Sequence, residues 1–71
     1  MTNTKLLRSK IEDSGIKIAH IARKLELSRV GLYNKLNNKS EFTAREIDGL
    51  SYLLRLTRDE RDDIFFAKKV N

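Results

Sequence analysis

The sequence predicts an all-α domain of five short helices, and three observations carry that expectation. The chain of 71 residues has no Pro and only three Gly, a poor supply of turn residues for a β fold. Its apolar residues recur three and four apart rather than in alternation. Two Thr-x-x-Glu segments, Thr43–Glu46 and Thr57–Glu60, mark helix starts at which each side chain bonds the other's backbone N–H. The length fits one domain over residues 1–71. There is no Cys and one His, His20, so neither a disulfide nor a thiolate metal site is available, and no metal or cofactor is expected. A core this small buries only about 60% of the surface that the unfolded chain exposes. Stability must therefore come from close apolar packing or from a partner.

The first helix is expected from about Thr2–Thr4 to Ser14, with Leu7 and Ile11 on one side and Gly15 to end it. The second covers roughly Lys17 to Leu25, with Ile18, Ile21, Ala22 and Leu25 on one stripe and His20 off it. Ser28 is a good N-cap for a third helix reaching Leu36, with Leu32 and Leu36 inward. Asn37–Asn38–Lys39–Ser40 reads as a loop. The fourth helix opens on the Thr43–Glu46 box, with Phe42 and Ile47 flanking it as a hydrophobic staple, and continues through Leu50, Leu53 and Leu54. Gly49 inside it costs roughly 1 kcal/mol against Ala and reads as a close helix–helix approach. The fifth opens on the Thr57–Glu60 box and carries Ile64, Phe65 and Phe66 before Lys68–Lys69. Adjacent helical residues point about 100° apart. One of the two Phe rings then fills the core while its neighbour faces outward, unless the helix is covered on two sides and buries both. An exposed ring at Phe65 or Phe66 would mark a dimer or partner surface.

Charge is unevenly spread. Residues 1–39 hold nine Lys/Arg against three acids, while residues 40–71 hold six against seven. A basic half joined to a near-neutral half is the footprint of a face that meets a polyanion. The second and third segments add a pattern of their own. Leu25 and Leu27 bracket a short turn, Ala22 allows a close crossing, and Leu32 closes the core from the next helix. That spacing packs two short helices steeply and leaves the outer side of the second free. An ordinary helical hairpin satisfies the same apolar pattern.

Ile21-Ala22-Arg23-Lys24-Leu25-Glu26-Leu27-Ser28-Arg29 resembles the "LA-x-x-L-G-V-S-R" core of the lambda-repressor-like, Cro-type helix-turn-helix proteins. The continuation from Gly31 to Lys39 is similar to small Cro-like regulators of temperate phages of Gram-positive bacteria, and so is Asp63-Ile64-Phe65-Phe66-Ala67. That group includes antirepressors of the modulator-of-repression type. The resemblance implies a compact five-helix domain with a helix-turn-helix over about 17–37 and a recognition helix over 28–37. It also implies a transcriptional regulator of a lysogenic/lytic switch, at work in the cytoplasm of a bacterial host. Its partner would be double-stranded operator DNA bound by a homodimer, or a phage repressor whose DNA-binding surface it blocks.

Under this resemblance the protruding positions are Ser28, Arg29, Val30, Tyr33, Asn34 and Asn37. Arg29 would fork onto a guanine and Asn34 would pair with an adenine edge, while Val30 meets a thymine methyl. Ser28, Tyr33, Asn37, Asn38 and Lys39 would serve phosphates, with Arg23 and Lys24 outside them. Four positions depart from the family. Lys17-Ile18 replaces the usual Thr-Gln, and Glu26 replaces the turn Gly at a cost of roughly 1–2 kcal/mol if left-handed. Gly31 weakens the recognition helix, and Lys35 stands where an aliphatic residue is often buried.

The chain offers no plausible nucleophile–base pair and no Gly-rich phosphate loop, which argues against an enzyme. Asp59, Glu60, Asp62 and Asp63 have no Gly among them and suit the positive end of a helix rather than calcium. No apolar run approaches the roughly 18 residues of a membrane span, so no membrane role is expected.

Overall fold

A computed structural model describes residues 1–66. Ala67, Lys68 and Lys69 of the expected tail lie outside the described residues. The described chain is all-helical: α1 (Thr4–Ser14), α2 (Ile18–Lys24), α3 (Arg29–Leu36), α4 (Ala44–Leu53) and α5 (Arg58–Phe65).

Each start has a local cause. Asn3 caps α1 by accepting the Leu6 N–H at 3.1 Å, and Ser28 caps α3 by accepting the Gly31 N–H at 2.9 Å. Both expected capping boxes form in full, at α4 and at α5. Phe42 and Ile47 are both buried around the first of them, as a staple requires. Lys17 gives α2 no side-chain cap.

A left-handed residue follows each of α1 to α4. Gly15 closes α1 at φ 71°. At α2, α3 and α4 the left-handed position is held instead by Glu26 (φ 60°), Asn38 (φ 59°) and Arg55 (φ 52°). In each case the next residue donates back across the turn: Leu27 N–H to the Ala22 carbonyl at 2.8 Å, Lys39 to Asn34 at 2.8 Å, and Leu56 to Ser51 at 2.9 Å. These are Schellman closures built without glycine. Only Glu26 stands out from sequence.

Every helix sends at least one fully buried residue inward: Leu7, Ile21, Leu32, Leu36, Leu50 and Ile64. α3 packs on α1 and α2, while α5 packs on α1 and α4. The close approach expected at Gly49 is present, since a Cβ there would stand 2.7 Å from Leu25 Cδ2. Phe65 is 7% exposed and meets Phe42 edge-to-face at 5.7 Å, whereas Phe66 is 58% exposed. One ring thus fills the core while its neighbour faces outward, and the burial of Phe65 removes it from the candidate dimer or partner surface, leaving Phe66. No described helix is long and apolar enough to cross a membrane.

Two lysines fasten the bundle through the capping boxes. Lys10 of α1 bonds Glu60, the box carboxylate of α5. Lys35 of α3 bonds Glu46, the box carboxylate of α4, at 2.7 Å. The Lys35 ammonium also donates to the Glu41 carbonyl at 2.9 Å and lies 5.9 Å from the centre of the Phe42 ring. Its stem fills the place of the expected aliphatic residue while its charge is paired.

Candidate functional site

The candidate site is the side of α3 turned away from Leu32 and Leu36. Ser28 starts the helix in extended conformation and spends its hydroxyl as an acceptor for the cap. Arg29 and Val30 follow on the first turn and are exposed, Val30 by 70%. Tyr33, three residues beyond Val30 and therefore on the same side, is 43% exposed. Asn34 is half-buried, its carbonyl taken by the Lys39 N–H. The stretch from Leu27 to Ser40 contains no acidic residue. Arg23 and Lys24 at the end of α2, and Lys39 beyond α3, are exposed basic neighbours in sequence.

Two further expected contact residues are engaged within the fold. Asn38 is half-buried and left-handed, and its amide donates to the Thr2 carbonyl at 3.1 Å. It anchors the N-terminal segment instead of facing outward with its neighbours, because the closing turn of α3 rotates it inward. Asn37 is exposed, but its Oδ1 accepts a hydrogen bond from Arg8 Nη2 at 2.6 Å. Arg8 lies on α1, 29 residues earlier, and no local pattern in the sequence pairs it with the end of α3. The groove beside Tyr33 is lined by Arg8, Ile11, Glu12, Ile16, Lys17, Ile18 and Leu36 among others, so α1 and the start of α2 extend the surface that α3 presents.

Comparison with protein-family models, with curated proteins and with solved structures finds no match to this chain. The chemistry of the site therefore rests on its own residues. It offers donors and cations, an aromatic ring with a hydroxyl, and one exposed aliphatic side chain. Among the described residues no three metal-ligating side chains converge. His20, expected off the apolar stripe, is half-buried on α2.

Proposed function

We propose that the chain is a DNA-binding transcriptional regulator of a phage-type lysogenic/lytic switch. In this reading α2 and α3 act as a helix-turn-helix, and α3 enters the major groove of operator DNA. The observation that carries it is the acid-free stretch from Leu27 to Ser40, whose Arg29, Val30 and Tyr33 are exposed on α3. Arg29 at the start of the helix suits a guanine edge, Val30 a thymine methyl, and Tyr33 a phosphate oxygen. Selection of bound duplexes from a randomised DNA pool tests the reading. Enrichment of a pair of two-fold-related half-sites about 34 Å apart is the expected result, and an unenriched pool would overturn it.

A second reading draws on the exposure of Val30 and Tyr33 side by side. An aliphatic and an aromatic tip flanked by Arg29 also make a protein-binding anchor. The chain would then be an antirepressor that covers the DNA-reading surface of a partner repressor. Capture of that repressor with an unenriched DNA pool is the outcome that favours it.

A further inference from the structure

Arg8 reaches the end of α3 from another helix and changes what that end offers a ligand. Its Nη2 donates to Asn37 Oδ1 at 2.6 Å and to the Leu36 carbonyl at 3.3 Å. Leu36 is the last residue of α3, so its carbonyl belongs to the end of the helix that carries roughly half a negative charge. Left bare, that end repels a phosphate. Arg8 covers it with a cation.

The same contact orients Asn37. A side-chain amide presents an acceptor on one side and two N–H donors on the other. With Oδ1 held by Arg8, the donors of Nδ2 are the group left for a ligand. Arg8 commits Nη2 to these two bonds, which leaves the N–H groups of Nε and Nη1. Arg8, Asn37 and the nearby Lys39 are all exposed. Glu12, which lines the same groove as Arg8, is the opposing charge.

We propose that Arg8 and Asn37 form a phosphate clamp at the C-terminal end of α3. Arg8 contacts a backbone phosphate of double-stranded DNA and turns the Asn37 donors toward it. The inference rests on the DNA-binding reading above and identifies the group gripped at this end of the face.

The test is binding of the full chain to a short random-sequence DNA duplex across a salt series, with thermal unfolding recorded alongside. Arg8→Gln removes the charge, and the slope of log K against log salt is expected to become shallower by about one. Arg8→Lys keeps the charge but not the fork, and retains the parent slope with weaker binding. Asn37→Asp keeps an acceptor for Arg8 but replaces the donors by a negative charge facing the phosphate, so the fold holds while binding falls roughly tenfold. A parent that binds while Arg8→Gln leaves the slope unchanged overturns the clamp and spares the DNA-binding reading. If Arg8→Gln unfolds the chain, Asn37→Asp decides, and unchanged binding there overturns the clamp. A parent chain that does not bind the duplex overturns both.

Discussion

The Lys35 ammonium lies 2.7 Å from Glu46 Oε1, and that same oxygen accepts the Thr43 N–H at 2.9 Å. One carboxylate therefore closes the capping box of α4 and fastens α3 to it. The two side chains are only 13% and 12% exposed, so solvent screens the pair weakly. Removing one partner leaves the other charge poorly solvated. Lys35→Ala is expected to destabilise the fold by about 1.5–3 kcal/mol, measured by urea denaturation. A double-mutant cycle with Glu46→Gln should return a coupling of at least about 0.5 kcal/mol. Additive single effects would show that the contact contributes nothing beyond its parts.

The same pair sets an acid limb of stability. Burial pushes the Glu46 carboxyl up, but the bond from Lys35 and the backbone N–H of Thr43 outweigh it and hold the group below its ordinary 4.5. Between the lowered folded value and the ordinary one, the unfolded chain binds more protons, so stability rises with pH there. The contribution is complete above about pH 4.5 and is lost as pH falls through the folded value. Glu60 behaves alike, held down first by Lys10 and then by the Thr57 N–H. Denaturation midpoints of Glu46→Gln should fall less steeply on acidification than those of the parent. Parallel curves would refute the assignment.

The left-handed helix ends give a prediction with two signs. Glu26 and Arg55 are exposed and sit at φ 60° and 52°, conformations costing roughly 1–2 kcal/mol for a side chain with a Cβ. Glycine removes that strain and returns about 0.4–1 kcal/mol of it as entropy of the unfolded chain. Glu26→Gly and Arg55→Gly should each stabilise by up to about 1 kcal/mol. The exposed Glu26–Arg45 pair takes away little. Asn38→Gly should instead destabilise, because Asn tolerates the conformation and its amide holds the Thr2 carbonyl. Thermal unfolding of the three variants decides, and a gain at Asn38 would contradict the account.

Phe65 and Phe66 should separate cleanly. Phe65→Ala empties a core site and is expected to cost about 3–5 kcal/mol. Phe66→Ala should leave stability within about 0.5 kcal/mol, while weakening any self-association seen in sedimentation. Equal losses at both positions would mean that Phe66 is not free.

Arg29 and Tyr33 distinguish the two functional readings. For an operator reader, Arg29→Ala should cost about 1–3 kcal/mol on the selected site and relax its preference at one base pair. For an antirepressor, Tyr33→Ala should abolish repressor capture while weak binding to arbitrary DNA stays nearly unchanged. Anisotropy titrations of both variants against both ligands separate the cases.

Much of the fold was legible in local residue patterns. The two Thr-x-x-Glu boxes, Ser28 as a cap, Gly15 as a stop and the strain at Glu26 each need only a few adjacent residues, and the structure has them all. Gly49 was legible because a glycine inside a helix has to be compensated by contact. The rest depends on partners brought together by tertiary packing. Arg8 meets Asn37 from 29 residues away, and Asn38 meets Thr2 from 36. Nothing in the spacing of either pair signals that contact. Arg55 and Asn38 occupy left-handed turns that sequence assigns by habit to glycine. At the candidate face, the outward positions of Arg29, Val30 and Tyr33 followed from the family resemblance, whereas the half-burial of Asn34 and the contribution of α1 did not.

The Asn3 N–H donates to the Ile64 carbonyl at 2.7 Å, joining the segment before α1 to the last turn of α5. That bond closes a loop of nearly the whole described chain, an entropic cost that only an already assembled core can offset. α5 has little apolar surface of its own beyond Ile64 and Phe65, and it docks both on its sequence neighbour α4 and on α1 at the opposite end of the described chain. Only part of its packing is therefore local. The Asn3 amide becomes a reporter of cooperativity: its hydrogen exchange should slow to the rate of global unfolding if the bundle opens as one unit. It should exchange faster than the amides of α3 if α5 undocks first.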